Sequence, residues 1–164
     1  MIRAAAAEDL DRIKAIAVAA GMFSAEEVGF FDEMFAGAQD GSLEGHAWLV
    51  AVDDQGAIIG AAQFAPEPFA DRLWNLYFLA ADPLAQGQGV GSALIGHVEH
   101  ELRGRGDEIA RVLIVETSST DQYASTRAFY AAQGFDEEAR IREFYGPGDD
   151  KVVFWKALTE AAPR

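Results

Sequence analysis

The sequence predicts a mixed α/β (α+β) domain with a mixed central sheet of about six to seven strands and about four helices. Apolar residues recur at helical spacing in some segments and form short strand-like runs in others. Val112–Val115 is apolar at every position, as expected of a central strand covered on both faces. A strand–helix–strand–helix portion requires parallel pairing, whereas hairpins on both sides of it require antiparallel pairing. We therefore expect one domain over residues 1–164.

Local signals place the individual elements. Ser24 and Glu27 have the spacing of a capping box at a helix start, and Gly134 is a helix stop signal. Asp53–Gly56 is a turn sequence between two apolar runs, which indicates a β-hairpin. The predicted strands are Ile2–Ala5, Ala47–Val52, Ala57–Phe64, Trp74–Ala81, Val112–Val115, Ala139–Tyr145 and Lys151–Leu158. The predicted helices are Glu8–Gly21, Ser24–Ala36, Gly89–Gly104 and Gln122–Gln133.

Composition narrows the classes of function. A chain of 164 residues is long enough for one sizeable core. It has no cysteine, which excludes disulfides, thiolate metal ligands and a cysteine nucleophile. The formal charge of −14 disfavours nucleic-acid binding and favours cationic small molecules, although it also serves solubility. With no apolar run long enough to span a bilayer and no apolar leader, we expect a cytoplasmic protein that does not bind membranes.

The most informative segment is the glycine-rich loop Gln86–Ser92 between a strand and a helix. Its alternating glycines let the backbone approach a ligand closely, and the following helix presents unpaired N–H groups and a positive dipole end. The loop lacks the lysine of a P-loop, and Ser92 replaces the third glycine of a dinucleotide fingerprint. The loop by itself is therefore compatible with an anion site or with a simple turn, and it leaves the ligand open.

Two segments in register resemble the GNAT superfamily of acetyl-CoA-dependent N-acetyltransferases. Gln86-x-x-Gly89-x-Gly91 follows Asp82-Pro83 at a strand end, as in the acetyl-CoA loop of that family. Ala128–Phe135 resembles the family's later helix, which ends in Tyr-x-x-x-Gly-Phe. The order of elements from Ile2 to Leu158 is also similar. The resemblance implies a GNAT-type domain in which acetyl-CoA, as co-substrate, lies where a parallel strand pair splays apart.

The resemblance also implies which residues hold the cofactor. Backbone N–H groups of the loop would bind the pyrophosphate, mainly at Gly87, Gln88, Gly89, Val90 and Gly91, flanked by Gln86 and Ser92. The strand end Leu79, Ala80 and Ala81 would pair with the pantetheine arm. An N–H there could polarise the thioester carbonyl.

Tyr130 matches the tyrosine that the family uses as general acid for the departing thiolate. A phenol suits this role, which we favour over the alternative that Tyr130 is a packed aromatic beside Phe129. Glu116 ends an apolar strand, where a partly buried carboxylate would accept a proton from the acceptor amine, directly or through water. An ordinary glutamate at a loop edge is the competing interpretation of Glu116.

Two positions depart from the family pattern. Asn75 stands where many members have a glutamate, so it could orient water or substrate but could not act as a base. Tyr123 stands where an asparagine often contacts the pantetheine. Tyr145, beside Phe144 in the C-terminal hairpin, could line the acceptor pocket or could equally be part of cross-strand packing. These departures keep open a non-catalytic acyl-CoA-binding or sensing domain, and a dinucleotide oxidoreductase is a more distant alternative.

The remaining expectations concern partners. His97 and His100 have helical spacing but polar neighbours, so a solvated helix face is favoured over a metal site and we expect no metal. The expected partner is a small-molecule amine acceptor whose identity the sequence does not reveal. A homodimer is common in the family and is left open here.

Overall fold

The computed structural model describes residues 1–159 and contains, within them, the expected seven strands and four α-helices. The strands are β1 (Ile2–Ala4), β2 (Ala47–Val52), β3 (Ile58–Pro66), β4 (Leu73–Ala81), β5 (Val112–Ser118), β6 (Asp136–Gly146) and β7 (Asp149–Ala157). The helices are α1 (Leu10–Ala19), α2 (Phe31–Asp40), α3 (Val90–Gly104) and α4 (Ala124–Ala132). Short 3-10 turns are Ala7–Asp9, Glu27–Phe30, Pro83–Ala85 and Asp121–Tyr123.

The strands form one mixed sheet in the order β1-β2-β3-β4-β5-β7-β6. Strands β4 and β5 are parallel, with Leu73–Leu76 paired to Val112–Val115, whereas β7 is antiparallel to both β5 and β6. The parallel ladder ends at Leu76 and Val115, although β4 continues to Ala81 and β5 to Ser118. The predicted mixed sheet with a parallel pair is confirmed.

The chain divides into two compact units, and β4 contributes to both. The first unit comprises Met1–Pro66 and Tyr77–His100, and the second comprises Glu67–Leu76 and the chain from Glu101 onward. The extent of a single domain over residues 1–164 stays a prediction. Across residues 1–159, no helix has the length and apolarity that crossing a bilayer requires.

The core of the first unit is rich in aromatic rings. Ile13 and Ile16 of α1 are fully buried in it. The Phe31 ring at the start of α2 lies 5.3 Å from that of Trp48 and 5.0 Å from that of Phe78, centre to centre, in edge-to-face geometry. Such pairs contribute about 0.5–1.5 kcal/mol beyond the burial of their area. These contacts fix α2 against β2 and β4.

The second helix differs from its predicted bounds. The Ser24–Glu27 capping box forms, since the Ser24 N–H donates to Glu27 Oε1 (3.1 Å) and the Glu27 N–H donates to Ser24 Oγ (3.0 Å). It opens a 3-10 turn, however, and α2 begins only at Phe31, because Gly29 weakens the first α-helical turn. The helix ends at Asp40, beyond Ala36, because Gly41 in the left-handed conformation (φ 80°) is the residue that terminates it.

In the second unit, β5 is the buried strand and β6 is an exposed one. Leu113 and Val115 are buried, in agreement with a central strand. Strand β6 is longer than the predicted Ala139–Tyr145, and almost all of its residues are exposed. Its charged side chains protect an edge strand from pairing with other chains.

Candidate active site

The loop Gln86–Ser92 leads into α3 through two glycines in the left-handed conformation. Gly87 has φ 84° and Gly89 has φ 76°, values that residues with a Cβ rarely adopt. The Ala93 N–H donates to the Gly89 carbonyl (3.0 Å), which is the first hydrogen bond of α3. Local sterics therefore explain why glycine occupies these two positions, and α3 begins where the sequence predicts.

The loop presents backbone N–H groups that can bind an anion. The Gln88 N–H donates to the Ala85 carbonyl (3.3 Å), so this one of the five expected amides is already used in a turn. Within residues 1–159, no protein acceptor is found for the N–H groups of Gly87 and Gly89. The first N–H groups of α3, including those of Val90 and Gly91, have no partner inside the helix, and they lie at its positive end.

An ion pair that the sequence did not suggest fixes the start of this loop. Arg12 Nη2 of α1 donates to Asp82 Oδ2 (2.5 Å), and Arg12 Nε donates to the Ile58 carbonyl (3.1 Å). Asp82 Oδ1 accepts from the Leu84 N–H (3.0 Å). The Leu84 N–H and the Arg12 guanidinium hold the pKa of Asp82 below its usual value. Arg12 has no spacing signature, since it lies 70 residues from its partner.

Gly60 of β3 is a second residue that sequence reasoning missed. A Cβ placed there would lie 2.5 Å from Val90 Cγ1 and 3.1 Å from the Ala80 carbonyl oxygen. Glycine thus allows the first turn of α3 to pack closely on β3 and the end of β4. There, Leu79 and Ala81 are half-buried and Ala80 is buried, on the part of β4 beyond its ladder with β5.

In the second unit, Glu116 lies in a cluster of charged side chains. Its Oε1 accepts from Asn75 Nδ2 (3.1 Å), and its Oε2 pairs with Lys151 Nζ (2.7 Å). Asn75 Nδ2 also donates to Glu67 Oε2 (3.2 Å). Asn75 is 1% exposed, and its Oδ1 has no hydrogen-bond partner among the described residues. One amide therefore bridges two carboxylates and presents a buried acceptor beside them.

The aromatic residues of the C-terminal hairpin lie beside this cluster. Lys151 Nζ is 3.5 Å from the centre of the Phe144 ring, which is itself packed edge-to-face on Tyr145. Burial raises the pKa of Tyr145 to about 12, and the nearby charges of Glu116 and Asp149 contribute to this rise. Tyr123 also contributes to this shift, which places it near Tyr145. Tyr145 therefore remains a neutral hydrogen-bonding phenol at physiological pH.

Tyr130 lies in a separate aromatic cluster of the same unit. Its ring centre is 5.7 Å from that of Phe154, 6.0 Å from that of Phe135 and 5.5 Å from that of Phe129. Tyr130 is 5% exposed, and burial raises the pKa of its phenol well above the usual value. The phenol thus holds its proton, as a proton donor must, while its ring packs as an ordinary core aromatic does.

The structure brings some predicted residues together and leaves others apart. Asn75, Glu116 and Tyr145 share one cluster with Lys151 and Glu67, neither of which the sequence singled out as a site residue. No group of three or more histidine and acidic side chains suited to a metal is found in the described part of the chain. His97 and His100 thus belong to no such group.

Comparisons with known proteins agree with this architecture. The model of the acetyltransferase (GNAT) family matches residues 10–135. An aminoglycoside N(6')-acetyltransferase type 1 from Klebsiella aerogenes is 40% identical over 107 residues, which are 62% of this chain and 66% of that enzyme. The chain thus matches just under two thirds of the length of this curated relative.

Solved structures give the same result over almost the whole chain. A GNAT-family protein from Desulfovibrio desulfuricans is 30% identical, with a TM-score of 0.87, over 97% of this chain and 99% of that one. An aminoglycoside 6'-N-acetyltransferase solved with coenzyme A is similar in fold, with a TM-score of 0.76 and 15% identity over 99% of both chains. Family model, sequence relative and fold agree, and the chain belongs to the GNAT acetyltransferase family.

Proposed function

We propose that this protein is an N-acetyltransferase that moves the acetyl group of acetyl-CoA directly to a primary amine of a cationic small molecule. The observation that carries the proposal is the loop Gln86–Ser92, with left-handed Gly87 and Gly89 at the start of α3, inside the segment that the GNAT family model matches. The solved aminoglycoside acetyltransferase that binds coenzyme A supports the same cofactor here.

The cofactor part of the proposal rests on backbone groups. The amides of Gly87, Gly89, Val90 and Gly91 would hold the pyrophosphate, because oriented N–H dipoles bind anions without a cluster of lysines. This explains how a chain with a net charge of −14 can bind an acidic cofactor. Arg12 would act as a positioning residue, since it contacts Asp82 and not the loop amides.

The acceptor part rests on the cluster around Glu116. Glu67 and Glu116 provide negative charge, Asn75 Oδ1 provides a buried acceptor, and the Phe144 ring already binds a cation. These groups match the needs of a protonated amine, which has hydrogen-bond donors and a positive charge. The Klebsiella aerogenes relative, which is named for an aminoglycoside substrate, supports a polycationic acceptor.

The chemistry needs three proton transfers, because the protonated amine loses one proton before it attacks and a second as the N–C bond forms, and the thiolate gains one. Acetyl-CoA supplies an acetyl group activated as a thioester. Glu116 would accept the first of these protons, directly or through a water molecule, and pass it to solvent, which frees the lone pair that attacks. The nitrogen would lose the second proton by the same route while an N–C bond forms and the C–S bond breaks. Tyr130 would donate its proton to the departing thiolate and regain one from solvent. The chain has no cysteine, so we expect no cysteine-bound acyl-enzyme.

A non-catalytic acyl-CoA sensor is the second candidate. Asn75 in place of a glutamate favours it, and so does the engagement of both Glu116 oxygens by Asn75 and Lys151. Replacing Tyr130 by Phe separates the two candidates. Transfer predicts a loss of turnover on the order of a hundredfold with unchanged acetyl-CoA affinity, whereas a sensor has no turnover to lose.

The test is the release of coenzyme A thiol in the presence of acetyl-CoA and a panel of amines. Since the chain contains no cysteine, a thiol-reactive dye reports only the released cofactor. The panel should include tobramycin, spermidine, propylamine and a neutral aromatic amine, with each product identified by mass spectrometry. We expect N-acetylated product from a polycationic amine. Acetyl-CoA binding without turnover on any amine would overturn the transferase and favour the sensor.

A further inference from the structure

Lys151 is placed in the interior of the C-terminal hairpin with most of its side chain covered. Its Cα lies opposite Ser118 of β5 and Ile141 of β6, so β7 carries it between two neighbouring strands. The Lys151 side chain is 13% exposed, against 25% for its partner Glu116. Covering a lysine removes rotamer freedom and hydration, so specific contacts must hold it in place.

The contacts of Lys151 are those of an ammonium receptor. Its Nζ lies 2.7 Å from Glu116 Oε2 and 3.5 Å from the centre of the Phe144 ring. The other two lysines have different surroundings. Lys14 pairs with the exposed Asp32, and Lys156 donates to the Gln133 carbonyl and lies over Phe135. Around Lys151, a carboxylate and an aromatic face meet at one ammonium group.

A further acceptor lies in the same cluster. Asn75 Nδ2 donates to Glu116 and Glu67, and its buried Oδ1 has no hydrogen-bond partner among residues 1–159. A primary ammonium has three N–H donors, whichever molecule carries it. The cluster therefore offers a carboxylate and an aromatic face to a primary ammonium, and Lys151 uses both. The Asn75 oxygen is a further acceptor, which Lys151 does not use.

We propose that Glu116 and Phe144 form a primary-ammonium site that Lys151 fills in the free protein, and that the acceptor amine enters by displacing Lys151. The inference rests on the proposed function, because it identifies this site with the acceptor's reacting amine. Displacement is feasible since the lysine ammonium is carried on a flexible four-carbon stem. Lys151 is thus an internal competitor for the acceptor.

This competition determines which amines are accepted. A tethered group competes at an effective concentration in the millimolar range, so an amine with a single charge must overcome it at comparable concentration. A polycationic acceptor gains further attraction from the surrounding carboxylates, such as Glu67 and Asp149. Lys151 therefore selects for polycations and against simple monoamines, although it takes no part in the bond changes.

The test uses propylammonium, which has the head group and most of the stem that Lys151→Ala removes. Thermal unfolding is followed with propylammonium chloride and with sodium chloride at equal ionic strength. We expect the melting temperature of the alanine variant to rise by roughly 3–6 °C at a tenfold excess over its dissociation constant. The wild-type protein and Lys14→Ala, whose lysine pairs with an exposed partner, should shift much less, because Lys151 competes in both. Equal shifts in all three proteins, or none in the alanine variant, would overturn the proposal.

A second variant and a second measurement test the proposal if Lys151→Ala does not fold. If the alanine variant does not fold, Lys151→Thr offers a residue that suits a strand, and wild-type protein labelled with ¹⁵N-lysine offers a second measurement. In the latter, tobramycin should shift the Lys151 ammonium signal and leave those of Lys14 and Lys156 in place; an unmoved Lys151 signal would contradict displacement.

These experiments distinguish a failure of the proposed ammonium site from a failure of the proposed acetyl transfer. Wild-type turnover on polycations without a propylammonium shift in the alanine variant would refute the ammonium site and leave the transferase intact. A shift in the alanine variant without acetylation of propylamine when acetyl-CoA is added would retain the ammonium site and refute its role for the reacting amine.

Discussion

The loop before α3 and the cluster around Glu116 differ in which chemical groups they present: backbone groups in the loop and side chains in the cluster. The loop offers backbone N–H groups shaped by Gly87 and Gly89, so its chemistry is nearly independent of side chains. The cluster is built from side chains, among them Asn75 of β4, Glu116 of β5 and Lys151 of β7, and its properties depend on their charge and hydrogen bonding. An array of backbone N–H groups suits an anion, whereas a cluster of carboxylates and aromatic rings suits a cation.

This difference predicts distinct responses to substitution. A change in the cluster should alter turnover and leave cofactor affinity unchanged. A change in the loop or in its support should alter cofactor affinity through the backbone conformation.

The largest effect is expected at Glu116. Replacement by Gln keeps the shape but removes the proton acceptor, and general-base catalysis typically contributes about 10²–10⁴-fold. We expect kcat to fall by that order while the dissociation constant of acetyl-CoA, measured by calorimetry, stays constant. The matched control is Glu137→Gln on the exposed strand β6. If kcat of Glu116→Gln stayed within twofold of the wild-type value, Glu116 would not be the general base.

The next effect is expected at Gly89, where φ is 76°. A valine there must adopt a left-handed conformation that costs on the order of 1–3 kcal/mol, or it must distort the loop. Gly89→Val should therefore weaken acetyl-CoA binding by roughly 10–100-fold. Gly96→Ala serves as the control, since Gly96 lies in α3 and a methyl group added there would have nothing within 4 Å. If Gly89→Val and Gly96→Ala bound acetyl-CoA with equal affinity, the loop would have no role in binding the cofactor.

A smaller effect is expected at Arg12, which supports the loop from α1. Arg12→Met removes the partner of Asp82, and partly exposed ion pairs contribute at most about 1 kcal/mol. We expect a two- to fivefold rise in KM for acetyl-CoA, roughly the effect of such an energy, with kcat unchanged and partial recovery in Arg12→Lys. Lys14→Met on the same helix, which breaks the pair with Asp32, should leave KM unaltered. A fall in kcat alone would refute a positioning role.

The smallest effect is expected on the pH dependence of the melting temperature, through His46. Burial lowers the pKa of His46, whose Nδ1 lies 3.0 Å from Gln63 Nε2. The unfolded chain therefore takes up the proton at higher pH, near the ordinary value of about 6.5. The neutral imidazole stabilises the fold above that pH, and this contribution is lost as pH falls through the folded-state pKa. Melting temperatures from pH 7.5 to 5 should fall less steeply for His46→Gln than for the exposed His100→Gln; identical slopes would contradict the assignment.

The two regions also differ in how far the sequence reveals them. Gly87, Gly89 and the buried strand β5 follow from local rules, because glycine at a left-handed position and an unbroken apolar run each have a physical cause within a few residues. Asp82–Arg12 and Glu116–Lys151 join residues 70 and 35 positions apart, and no spacing rule predicts such pairs. Even Asn75, which the sequence singled out, gains its two carboxylate partners only through folding.

We propose that the loop Gln86–Ser92 binds acetyl-CoA, and thermal unfolding with and without acetyl-CoA is the decisive experiment. NADH and ATP are the control ligands, and Gly89→Val is the control protein. A ligand that binds only the folded state raises the melting temperature, so a shift is expected with acetyl-CoA, a much smaller one with NADH or ATP, and little with acetyl-CoA on the variant. No shift at millimolar acetyl-CoA, or an equal shift with all three ligands, would show that the loop is not a specific acetyl-CoA site.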